Sequence, residues 1–252
     1  MRNCAKLCVM LSIAATACLT TPALAVVPVV FGESWDGPSN RLQNIIDGVY
    51  GAGRIDCAHD YIGARTADLD PWFWVDNQFS ALLITEVAGN ANRNTLGWYR
   101  EDGRMPVIDG IDDGVVFAGP AVQGATAVIQ FEHPMTKFGF YLNPNGKLGA
   151  INAPEPEMFF TNRFYNDPGP GGGGAIHAPS GGDVQALVFD ISRITQPNTW
   201  LVCFEDLDSG ADPGPCCTPT DNDFNDLVFQ VTAFGATPTI PLTFGQLKAR
   251  YR

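Results

Sequence analysis

Short apolar runs separated by turn-forming residues constrain this chain more than any other feature. They occupy residues 81–87, 115–118, 125–131, 138–142, 158–160, 186–191, 200–204 and 227–233, with clusters of Gly, Pro, Asn and Asp between them. Runs of this length, rich in Val, Ile and Phe and bounded by turn chemistry, form strands. Many of them in succession predict an all-β fold, an antiparallel β-sandwich of jelly-roll-like form. Helix candidates are confined to residues 39–48 and the C-terminus. The glycine-rich stretch 169–174 cannot hold a regular element and predicts a surface loop. It lacks the Gly-Lys-Ser/Thr ending of a phosphate-cradling loop.

The first residues carry Arg2 and Lys6, then an apolar stretch over 7–19, then Ala23-Leu24-Ala25. Charge, apolar core and small-residue cleavage site in that order predict a signal peptide over residues 1–25 and an exported protein. The lipoprotein alternative at Cys18 has a poor box, with Ala15 where a Leu is expected. No later segment has the roughly 18 consecutive apolar residues of a membrane helix, so no transmembrane segment is expected. Residues 26–235 are expected to form one β-sandwich domain, followed by a basic tail over 236–252. That tail is either a frayed end or a sorting or docking tag.

The chain has a formal net charge of −12, and loss of the leader would leave 13 basic against 27 acidic side chains. Such a balance disfavours nucleic acid and anionic membrane as partners. Four cysteines follow the leader: Cys57, Cys203, Cys216 and Cys217. In an oxidising compartment they predict two disulfides. With a bond between the neighbours 216 and 217 set aside as strained, Cys57 would join one of them and Cys203 the other. No CxxC spacing or nearby His supports a zinc site.

The strand expected at 200–204 ends in Glu205-Asp206, and the strand at 227–231 begins after Asp221-Asn222-Asp223-Phe224-Asn225-Asp226. If the two pair as a hairpin, these acids converge. Like charges about 4 Å apart repel by about 4 kcal/mol at an effective dielectric of about 20. No Lys or Arg lies between Arg193 and Lys248 to offset this locally. A divalent cation would, and oxygen ligands in these numbers suit Ca²⁺; a solvated acidic loop is the alternative. The expected ligands are Asp206, Asp221, Asp223 and Asp226, with Glu205 and Asn225 as additions. Asp208 and Asp212 are expected to be solvated.

A straight strand continued back from Leu227 would place the Asp residues on the apolar face and turn Phe224 outward, so the chain is expected to bend near Asn225. An ordinary bulge or Asx turn would produce the same bend. An EF-hand is rejected, because Asp226 stands where its Gly is needed and Thr232 where its Glu is needed.

The segments 200–206 and 221–231 resemble the closing hairpin of the bacterial domain-of-unknown-function 4114 family. Residues 83–99, with their Asn-rich turn and Gly97-Trp98-Tyr99, resemble that family's opening. Phe138-Gly139-Phe140-Tyr141-Leu142 and the stretch from Phe164 through His177 follow in the expected order. The resemblance covers about residues 81–234. It implies an exported β-sandwich of surface and adhesin-like proteins, suspected of binding calcium, and it implies no reaction. The Pro215-Cys216-Cys217 insertion in the closing loop departs from the pattern.

Other constellations are weaker. Glu155 and Glu157 sit in a Pro-Glu-Pro-Glu stretch that predicts an extended surface loop more readily than a glycosidase pair. His59, His133 and His177 are scattered, without HExxH or a Gly-x-Ser-x-Gly elbow. His177 with Asp167 could hold a sugar hydroxyl or second ion, and Trp72 and Trp74 could stack on a sugar ring. Core packing is the competing reading of the tryptophans. The expectation as a whole is an exported, calcium-binding, non-enzymatic surface or matrix module, periplasmic, on the cell surface or extracellular. A surface glycan or matrix protein would be its partner. The alternatives are a calcium-dependent carbohydrate-binding module and a secreted glycan-active hydrolase.

Overall fold

The computed structural model describes residues 29, 31–32, 34–64, 73, 77–88, 91–131, 137–144, 158–166, 184–207 and 221–234, with the side chain of Phe164 excepted. The expected leader, the basic tail, residues Asp208 and Asp212, Cys216 and Cys217, and the Glu155/Glu157 pair lie outside them. So do Trp72, Trp74, Asp167, His133 and His177. No helix among the described residues is long and apolar enough to cross a membrane.

Among the described residues, nine strands form two antiparallel sheets. They are β1 (Gln78–Glu86), β2 (Thr95–Arg100), β3 (Asp113–Phe117), β4 (Thr126–Gln130), β5 (Phe138–Asn143), β6 (Phe159–Phe160), β7 (Ala186–Asp190), β8 (Thr199–Phe204) and β9 (Leu227–Phe234). The larger sheet runs β4-β1-β9-β8-β7 and the smaller β3-β2-β5-β6. The chain passes from one sheet to the other after β1, β3, β4 and β6. This is the antiparallel β-sandwich that the turn-punctuated runs predict.

The inward faces meet in an aromatic core. Phe79 stacks on Phe138 at 5.0 Å, Phe140 meets the edge of Phe229 at 4.9 Å, and Phe73 meets Trp200 at 5.5 Å. Phe73, flanked by the two tryptophans, is therefore a core residue, bridged to Phe138 by backbone hydrogen bonds in both directions. Every residue of β8 is buried. Trp200, Val202 and Phe204 face the other sheet, while Leu201 and Cys203 belong to a second apolar cluster on the opposite face.

Val29, Phe31 and residues between 42 and 64 complete that second cluster. A 3₁₀ turn at Pro38–Asn40 leads into α1 (Leu42–Tyr50), whose Leu42 and Ile46, four apart and on one face, are buried against Leu201, Phe189 and Val228 in the same cluster. Burial of such side chains contributes about 1.5–3 kcal/mol each. Gly51, at φ 96°, ends the helix with its N–H donating to the Asp47 carbonyl, a left-handed conformation that glycine adopts without steric cost. Tyr50 then donates to Gln230 Oε1 on β9 at 3.2 Å. The outer face of the larger sheet is thus covered over β7, β8 and the start of β9, while Val128 on β4 stays 67% exposed.

Cys57 packs against this cluster and Cys203 lies within it; both are free thiols. Burial pushes the Cys57 thiol up to about 11 and that of Cys203 well above its usual range. The expected partners of both, Cys216 and Cys217, fall outside the described residues.

Candidate metal centre

β8 ends at Phe204, directly opposite Leu227, where β9 begins. Glu205 and Asp206 therefore leave the sheet beside Asp226, as hairpin pairing requires. The turn is closed by hydrogen bonds that run between the two segments. The Asp206 N–H donates to Asp226 Oδ2 at 2.8 Å, and the Phe224 N–H donates to Glu205 Oε2 at 3.3 Å. The Glu205 N–H donates to the Gln185 carbonyl at 3.0 Å.

The chain leaves the extended conformation before β9, with φ of 51° at Asn222 and 54° at Phe224. Positive φ is uncommon for an aromatic residue and marks a locally determined backbone. Phe224 is nevertheless fully buried, edge-on to Phe31 at 5.8 Å. Here the sequence expectation needs correction. Phe224 lies in the same cluster as Val228, on the outer face of the sheet, and that face is apolar because residues 29–64 cover it. The bend exists, but it is not needed to bring Phe224 inward.

Asn225 anchors the bend to the N-terminal segment. Its Nδ2 donates to the Asn40 carbonyl at 2.6 Å, to Ser34 Oγ at 3.2 Å and to Asp223 Oδ2 at 2.5 Å. Asp221 Oδ2 accepts from the Trp35 N–H at 2.8 Å, and the Gly32 N–H donates to the Asn222 carbonyl at 3.2 Å. The approach at Gly32 is so close that a Cβ there would lie 1.6 Å from the Asp221 carbonyl oxygen. Only glycine fits.

These contacts gather the acids into two clusters. Glu205, Asp221 and Asp223 form one, and Glu205, Asp206 and Asp226 the other, with one ligand atom from each residue lying within 4.8 Å of the others. Glu205 is fully buried, Asp206 and Asp223 are 4% exposed and Asp226 7%, while Asp221 is half-buried. All six residues expected from the sequence are therefore in one region. Their ranking changes, since Glu205, expected as an addition, is the member common to both clusters.

Two further side chains join at the Asp206 end. Asn94 Nδ2 donates to Asp206 Oδ2 at 3.1 Å. Glu86 closes β1 opposite Leu227, after a register shift between Leu83 and Thr85, and the Val87 N–H donates to the Asp226 carbonyl at 3.1 Å. Asn94 and Glu86 were not among the expected ligands. Asn94 stands in an Asn-rich run of the sequence, but its position beside Asp206 depends on β1 pairing with β9, which no local pattern encodes.

The electrostatics follow from crowding. Burial raises the Asp226 carboxyl well above the usual range, and the neighbouring Glu205 and Asp206 raise it further. Asp223 is pushed up to about 6, chiefly by burial, with hydrogen bonds from Ser34 and the Asn225 backbone pulling down and Asp221 and Asp36 pushing up. Glu86 rises to about 7 by burial and the charge on Asp206, against an opposing hydrogen bond from Asn94. The ligand atoms are all carboxylate oxygens, without His or Cys, so the clusters can hold a metal ion of the hard, oxygen-seeking kind.

Comparison with protein-family models, with curated proteins and with solved structures returned no match.

Proposed function

We propose that the protein is an exported, calcium-binding, non-enzymatic module acting at a surface or in a matrix. The observation that carries this reading is the convergence of five carboxylates from one hairpin on a buried position, with Glu205 common to two clusters. Burying like charges together is strongly unfavourable unless a cation compensates them. Ca²⁺ suits the site because it accepts six to eight oxygen ligands in flexible geometry, whereas Mg²⁺ demands a tight octahedron and retains several waters.

Burial of Glu205, Asp206, Asp223 and Asp226 leaves little access for a substrate, which favours binding over catalysis. The leader-like first 25 residues support export into compartments where calcium is abundant. Kinship with the domain-of-unknown-function 4114 family is part of the proposal and rests on the closing hairpin. A surface glycan or matrix protein is the proposed partner.

The test is thermal unfolding of the purified protein in millimolar calcium and in chelator. A ligand that binds only the folded state at about 100 times its Kd stabilises by about 2.7 kcal/mol, so the midpoint should rise by several degrees with calcium. An unchanged midpoint would remove the calcium reading.

A further inference from the structure

We infer that the hairpin holds two cations side by side, with the Glu205 carboxylate bridging them; this rests on the calcium reading above and extends it. One ion would take Glu205, Asp221 and Asp223, the other Glu205, Asp206 and Asp226. The first reason is geometric. Oxygens bound to a single Ca²⁺ at about 2.3–2.6 Å lie at most about 5 Å from one another. Among the described residues, the carboxylates meet a limit of that size, 4.8 Å, as two groups of three. Asp221 and Asp223 do not fall in one group with Asp206 and Asp226, and Glu205 alone belongs to both.

The second reason is independent of the acids. Asn225 is fully buried and Asn94 is 2% exposed. The Asn225 Nδ2 is bonded to a backbone carbonyl, which can only accept, so the orientation of its amide is settled. Its Oδ1 is then buried with no hydrogen-bond partner among the described residues, and the same holds for Asn94 Oδ1. Each amide is held to the clusters by its nitrogen, Asn225 to Asp223 at one end and Asn94 to Asp206 at the other. Each cluster is therefore bonded to one amide whose buried oxygen lacks a donor. Buried acceptors are almost always satisfied, and an amide oxygen is an ordinary calcium ligand. One such oxygen per cluster matches one ion per cluster.

Sharing Glu205 also couples the sites. The first ion orders the carboxylate that the second needs, while the two cations repel across it, and bridged pairs of this kind are familiar in two-metal centres.

Equilibrium dialysis of the full chain against calcium, with calorimetric titration alongside, counts the ions. Two per chain is expected. Asp221→Asn and Asp206→Asn should each reduce the count to one, and Glu205→Gln should weaken both sites by on the order of tenfold or more. Because a Glu205 variant can fail to fold, the assignment is carried by Asp221→Asn, whose side chain is the half-buried member. One ion in the wild type, abolished alike by Asp221→Asn and Asp206→Asn, would overturn the two-ion arrangement and leave a single calcium site standing. Two ions still bound by Asp221→Asn would overturn the assignment of ligands. No bound ion would overturn the calcium reading itself.

Discussion

Asn225 shows how one side chain ties the candidate site to the rest of the molecule. Its amide joins the site loop to Asn40 and Ser34, nearly two hundred residues earlier, and to Asp223 beside it. Net contributions of about 0.5–1.5 kcal/mol per hydrogen bond predict that Asn225→Ala lowers stability by about 2–3 kcal/mol in urea unfolding. A loss below about 0.5 kcal/mol would mean the amide is not the anchor. Gly32→Ala is expected to cost about 1–3 kcal/mol and to weaken calcium binding, because the N-terminal segment must retreat from the Asp221 carbonyl. Calcium titration of that variant checks it. The six acidic and amide residues of the hairpin were legible in the sequence because they cluster locally. Asn94, Glu86 and Ser34 were not, since each reaches the site through tertiary contacts that span more than a hundred residues.

Elements were legible where apolar runs were continuous, and less so where glycine replaced a packing side chain. Eight of the nine strands coincide with runs expected as strands, while β2, reading Thr-Leu-Gly-Trp-Tyr-Arg, was not among those runs. The reason lies in its pairing with β5. Gly97 is opposite Tyr141, and Gly139 is opposite Tyr99, so each glycine lies beneath the tyrosine of the other strand. A Cβ at Gly97 would come within 2.1 Å of the Tyr141 ring, and one at Gly139 within 2.4 Å of Tyr99. Gly97→Ala is accordingly expected to destabilise by about 1–3 kcal/mol in the wild type and far less in a Tyr141→Ala background. Equal losses in both backgrounds, measured by urea unfolding, would refute this account of the pair. The covering of the larger sheet's outer face was missed for a different reason. The helix at 39–48 was expected, with bounds within three residues of α1, but nothing in its own pattern states which sheet face it will cover.

At the scale of the whole molecule, the acids at the hairpin trade stability against charge. Asp223 at about 6, Glu86 at about 7 and Asp226, raised well above its ordinary range, hold protons in the folded state that the unfolded chain releases near pH 4. A raised carboxyl contributes stability that is full below its unfolded value and is lost as pH climbs through its folded value. Without a cation, the protein should therefore lose stability between about pH 4 and about pH 7 through these groups. Calcium requires the ionised carboxylates, so its binding strengthens over the same window and releases the retained protons. The central claim, that a cation compensates this buried charge, is tested most directly by the thermal midpoint from about pH 5 to about pH 8, in millimolar calcium and in chelator. The prediction is divergence: the chelated midpoint falls as pH rises while the calcium-loaded midpoint holds or climbs. Two curves that fall in parallel would contradict it.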